Sequence, residues 1–219
     1  MTEPELQGSD KNRKLKKTLF AITMGGITGF FGAMLVKEAL DSGKFASVGA
    51  SVEIASLVGM IYLITGLFVG LGSLAPNAGA KVLNVEDADE LREQRAMLLY
   101  SSVGMFAAGL ALILVALAEA GGPVTPGLAL LVYGVLAVVA IFTSVKSWKQ
   151  QDELMRAVGR ETASLSYYLM LLVGGTWALL AHLAYLPAAQ PLDWLTMFWS
   201  LFLLATFIVV GRRGMLNMR

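Results

Sequence analysis

Residues Ile54–Leu74 read IASLVGMIYLITGLFVGLGSL, a run without Asp, Glu, Lys, Arg or His. The hydrocarbon core of a bilayer is about 30 Å thick, so a helix rising 1.5 Å per residue needs about 20 apolar residues to cross it. A helix also satisfies its own backbone N–H and C=O groups, which lipid cannot do. This run is therefore read as a membrane-spanning helix. Working outward from it gives five more: Thr18–Val36, Ala96–Leu117, Leu128–Val145, Leu165–Leu186 and Trp194–Val210. Turn-forming segments separate them, at Asp41-Ser42-Gly43, Pro76-Asn77-Ala78-Gly79, Gly121-Gly122-Pro123 and Pro187 through Pro191.

The expected fold class is all-α, a polytopic bundle of about six transmembrane helices. Residues 1–17 form a basic tail, 18–212 the membrane domain and 213–219 a second tail. Composition agrees: 56% of the chain is hydrophobic, 15% is charged and the mean hydropathy is +0.66. Soluble chains hold roughly 45–50% apolar and about 25% charged residues. The first apolar run lacks an A-x-A-like cleavage site and is expected to be retained as a span; Thr2 stands where myristoylation needs glycine.

Basic residues set the expected orientation, because Lys and Arg are held in cytoplasmic loops. Of the 17 Lys and Arg residues, only Lys37 and Lys44 fall on one side; the other side carries the N-terminal cluster, Lys81, Arg92, Arg95, Lys146, Lys149, Arg156, Arg160 and the C-terminal arginines. Both termini are then cytoplasmic, which requires an even number of spans. The expected location is the inner membrane of a bacterium.

Two cytoplasmic connections share a tripeptide, Asp89-Glu90-Leu91 and Asp152-Glu153-Leu154, each followed by arginine and a Ser/Tyr cluster. An internal two-helix repeat is one reading of this pattern and chance is the other. Asn84 is expected to cap a helix that carries the acidic segment into the third span. Its acids stand close to Arg92 and Arg95, so solvated local ion pairs are the plain reading.

Inside the spans the most specific signal is glycine spacing. Gly25 and Gly29 on the first span, and Gly66 and Gly70 on the second with Gly59 near them, flatten one helix face and let backbones approach. Gly104/Ala108, Gly134/Ala137 and Gly174/Ala178/Ala181 extend the theme, whereas the sixth span has only Ala205 and is expected at the periphery. Packing within the bundle is preferred over an oligomer interface.

No ionisable residue lies at the centre of a span, which weighs against a proton-coupled carrier. The mid-span polar groups are the hydroxyls of Thr28, Thr65, Thr143, Thr176, Ser200 and Thr206, expected to bond the carbonyl one turn back. The single histidine, His182, lies in the outer part of the fifth span between Trp177 and Tyr185. With Glu119 and Glu53 it makes a candidate outer-face polar cluster; the competing reading is an interfacial aromatic belt with His182 in it.

Zero cysteines exclude disulfides, thiolate metal sites and Cys nucleophiles, and one histidine excludes bis-histidine haem. Nucleophile elbows, H-x-x-x-H elements and phosphate-cradling loops are not found. The expectation is a chain without catalysis, cofactor or metal site, acting as a membrane-embedded interaction or accessory subunit. Its partners would be the lipid bilayer and a membrane protein or a second copy of itself, and a net charge of +1 gives no reason to expect nucleic acid. A small-solute transporter or passive permease is the competing class.

Overall fold

The computed structural model describes residues 49–80, 83, 85, 87–118 and 124–215, together with Met34 and Glu38. Apart from Met34, the first span, Thr18–Val36, with Gly25 and Gly29, the basic tail, Asn84 and Glu119 lie outside the described residues. Every element among them is helical: α1 (Ala50–Leu74), a short α2 (Pro76–Gly79), α3 (Ala88–Ala116), α4 (Pro126–Gln150), α5 (Glu153–His182) and α6 (Pro191–Arg212). All but α2 are long and apolar enough to cross a membrane, so the chain is an all-α multi-pass membrane bundle.

Local chemistry fixes where these helices begin. Pro126 and Pro191 occupy first-turn positions of α4 and α6, where a missing N–H costs nothing. The Asp152 carboxylate accepts from the Met155 N–H at 2.7 Å to cap α5. The cap of α3 is Asp87, whose carboxylate accepts from the N–H groups of Asp89 and Glu90, both at 2.9 Å; this corrects the expectation of Asn84. The helix carries its acidic turns continuously into the span, and Arg92 pairs with Asp89 one turn away as a solvated ion pair.

The shared tripeptide does not occupy equivalent places. Asp152 is the cap of α5, whereas Asp89 already lies inside α3; Leu91 is fully buried and Leu154 is 47% exposed. The same letters thus do different work in the two helices.

In space the helices follow the order α4, α3, α1, α6, α5, each packed on its neighbours. The tightest seam joins α1 and α3. A Cβ added at Gly59 would lie 2.8 Å from the Gly109 carbonyl oxygen, and one at Gly109 would lie 2.5 Å from that of Gly59. Two turns along, a Cβ at Gly66 would lie 2.9 Å from both the Ser102 oxygen and the Phe106 nitrogen, and one at Gly70 would strike the Ser102 hydroxyl. Ser102 donates to the Gly66 carbonyl at 2.7 Å across the same seam. Gly134 instead has open space around it, and Gly104 faces Thr143 of α4.

At one end of this seam Val52, Ala55, Leu112 and Ala116 form a buried cluster that Leu192, Leu195 and Trp199 of α6 cover. Ala205, Val209, Thr196 and Met197 of α6 are buried as well, with Ala205 at 0% exposure. The sixth span is thus an interior neighbour of α1, contrary to the peripheral position expected from its lack of glycines.

Gly66→Leu is expected to cost about 1–3 kcal/mol or more, because overpacking must separate two backbones, and Ala205→Leu to be damaging for the same reason. Gly134→Leu should leave stability nearly unchanged. Thermal unfolding of the three variants in detergent checks this; equal midpoints would contradict the assigned contacts.

Candidate functional site

The C-terminal end of α5 is held by its own backbone. Ala184 adopts a left-handed conformation at φ 59°, and the N–H groups of Ala184 and Tyr185 bond the carbonyls of Ala181 and Leu180 at 3.1 and 2.9 Å. This is the helix-ending pattern that glycine normally serves. The Trp177 indole N–H donates to the Pro187 carbonyl at 3.0 Å and pins the following loop. His182, in the last turn, is exposed, and so is Glu53 in the first turn of α1. Among the described residues no hydrogen bond or ion pair joins them, and no group of three or more His, Asp or Glu side chains is placed to hold a metal.

At the opposite end, Arg213 donates from Nε to Glu161 at 2.9 Å, tying α5 to the end of α6. The hydrogen bond from Arg213 holds the Glu161 carboxyl below its ordinary range, and the same bond raises the Arg213 guanidinium. Both groups lie outside the apolar runs and are solvated.

The hydroxyls of the spans are mostly spent locally, as expected. Thr65, Thr143, Ser200 and Thr206 donate to the carbonyl four residues back at 2.7–2.9 Å, as do Ser73 and Thr196. Ser56 Oγ and Thr162 Oγ1 are buried without a hydrogen-bond partner among the described residues.

One group of polar side chains is not confined to a single helix. A cleft of about 270 Å³ lies between α1, α3, α4 and α6. Ser101 and Ser147 share a hydrogen bond of 2.8 Å at its edge, which joins α3 to α4. Ser144 and Gln151 follow Ser147 around one face of α4 at helical spacing, and Gly104, Met105 and Ala108 continue from Ser101 along α3. Tyr62 of α1 reaches across to donate its hydroxyl to the Trp199 carbonyl at 2.9 Å, and the two rings meet edge to face with centroids 5.6 Å apart. A second, more apolar groove of about 380 Å³ follows on the α5 side of Trp199.

The sequence singles out Ser101 and Ser102 only as part of a membrane-edge cluster and does not find this cleft. The usable signal is the spacing of Ser144, Ser147 and Gln151 on α4, but the juxtaposition of four helices is not written in any one of them. Comparison with known protein families, with curated proteins and with solved structures found no match.

His182→Phe is expected to change stability by less than about 0.5 kcal/mol, as exposed substitutions do, with no metal-dependent shift in the unfolding midpoint; a midpoint that rises with zinc only in the unsubstituted chain would contradict this.

For Glu161 the sign follows from its lowered pKa. The contribution of the ion pair is present above the ordinary carboxylate pKa, about 4.3, and is lost as pH falls through the lowered value in the folded state. Glu161→Gln should flatten that acid-side fall in detergent melts, by a small amount because the pair is solvated.

Proposed function

We propose that this chain is a non-catalytic subunit of a bacterial cytoplasmic membrane, acting by lateral contact with another membrane protein. The observation that carries this reading is a contrast in packing. α1 and α3 close on each other backbone to backbone, whereas α4 and α5, at the two flanks, bury only 11% and 6% of their membrane-crossing windows. In lipid, close van der Waals fit rather than hydrophobic drive brings helices together. The glycine seam makes a rigid centre, with Gly66 and Gly70 as packing positions and the same role proposed for Gly25 and Gly29. Among the described residues nothing covers most of the flanking helices, which leaves them to lipid or a partner.

Two further observations favour this over ion-coupled transport. The buried polar side chains among the described residues are serines and threonines alone, without an ionisable group of the kind that marks ion pathways. Most mid-span hydroxyls are occupied by their own helices. A permease for a small uncharged solute is the second reading, which the hydroxyl-lined cleft favours and which requires that cleft to hold water.

Orientation is proposed with both termini cytoplasmic. A cysteine placed at Ser47 should then react with an impermeant reagent from outside, and one at Ala88 should not. A chain without cysteines makes this measurement clean.

Photo-crosslinking residues at Leu172 of α5 and Val138 of α4, both strongly exposed, test the lateral contact in native membranes. A discrete protein adduct from one of these faces is expected. Lipid labelling alone at both positions, together with solute flux in proteoliposomes, would overturn the reading in favour of a permease.

A further inference from the structure

We infer that the cleft between α1, α3, α4 and α6 is a binding site for the glycerol-ester region of an uncharged diacyl lipid, a diacylglycerol. This stands apart from the protein-partner reading above, since it concerns a different face and a different ligand.

The argument begins with depth. On α4, Lys146 and Lys149 bracket Ser147, and Gln151 follows at the helix end, so this end of the cleft lies where the span meets the basic flank. On α3, Ser101 lies about two turns beyond Arg95, and the wall continues through Met105 to Ala108, roughly 10 Å further along the helix axis at 1.5 Å per residue. The polar side chains are therefore gathered at the interfacial end, while Ala108, Met105, Trp199 and Phe202 make the deeper part apolar. An amphipathic molecule entering from the bilayer meets the same gradient in the same direction as its own.

Hydrogen-bonding capacity comes next. Ser144 Oγ and the Gln151 side-chain amide have no hydrogen-bond partner among the described residues. The Tyr62 hydroxyl spends its proton on the Trp199 carbonyl and keeps its lone pairs. The site thus offers, at Ser144 and Gln151, donors suited to ester carbonyls and acceptors suited to a lipid hydroxyl at the interfacial end, with the Tyr62 oxygen deeper in the cleft.

Charge selects among lipids. Among the described residues no Asp, Glu, Lys, Arg or His lines the cleft. A phosphate drawn into it, past Lys146 and Lys149 at the flank, would lose hydration with no cation on that lining to replace it, which is costly at low dielectric. A free glycerol hydroxyl carries no such penalty. About 270 Å³ accommodates a glycerol with its two ester groups, and the acyl chains leave through the open side, where Ser144 and Phe202 are exposed.

Trp199 in the wall reports on the occupant. The full chain with Trp148, Trp177 and Trp194 changed to Phe keeps Trp199 as its single fluorophore, and a companion keeping only Trp148, which is 61% exposed, reports bulk lipid. Both are reconstituted into phosphatidylcholine vesicles holding a minor fraction of acyl-brominated diacylglycerol or of equally brominated phosphatidylcholine. The expected result is several-fold stronger quenching of Trp199 by the diacylglycerol, no such preference at Trp148, and loss of the preference in Ser144→Leu, whose exposed position tolerates the change. Gln151→Leu should weaken it as a second, independent variant.

Equal quenching of Trp199 by the two lipids would overturn the proposal, since the cleft would then hold bulk lipid without selection. Strong quenching by aqueous acrylamide would overturn it in favour of a water-filled path. Protection from every quencher would overturn it by assigning the cleft to protein, including residues 18–36 of this chain.

Discussion

Two helix backbones touch where Gly59 and Gly109 face each other, and the positions of the remaining helices are set from that contact. Neither residue can carry a Cβ without meeting the opposite carbonyl. Because lipid removes the usual hydrophobic incentive for helices to associate, such contact must itself supply the attraction, through dispersion and through bonds such as Ser102 to the Gly66 carbonyl. Bonds of that kind average about 0.6 kcal/mol each in membrane helices, so shape fit over two turns matters more than any one of them. With α1 and α3 so close, α6 can settle over the end of their seam at Val52 and Ala116, and α4 can rest on the far side of α3.

Around this centre the polar chemistry is arranged by economy. Hydroxyls in the middle of spans bond back along their own helix and cost nothing in lipid. Those that bond between helices, Ser101 to Ser147 and Ser102 to Gly66, cluster near the basic end of α3. The polar part of the cleft is a consequence of that clustering: where α4 rests against α3 and α6 against α1 without closing on each other, side chains such as Ser144 and Gln151 remain uncommitted.

The five spans among the described residues were legible because hydropathy measures what lipid measures. The helix starts were less so: the polar extension of α3 was expected but is capped by Asp87 rather than Asn84, and α5 begins at Glu153, well before its apolar run, since a capped polar turn is helical without entering lipid. Gly66 and Gly70 could be picked out by spacing, while Gly109, which meets Gly59, has no small residue four positions away and carries no such signal. Ala205 was misplaced for a related reason. Burial of a small residue depends on the neighbour that covers it, and no single helix names its neighbour. The cleft was illegible on the same ground, drawing its lining from four helices.

The bond from Tyr62 to the Trp199 carbonyl spans α1 and α6 and is flanked by the contact of their two rings. Neighbouring residues on a helix are displaced by 1.5 Å along its axis and by a large rotation around it. Sliding α6 past α1 by even one residue would carry that carbonyl out of reach and turn the indole away from the phenol. The pair therefore resists translation while leaving rotation about itself comparatively free, as a pin does in a joint. Should the two walls of the cleft ever part, they would swing about Tyr62 rather than slip past one another, and the interfacial end, farthest from that pin, would travel the greater distance.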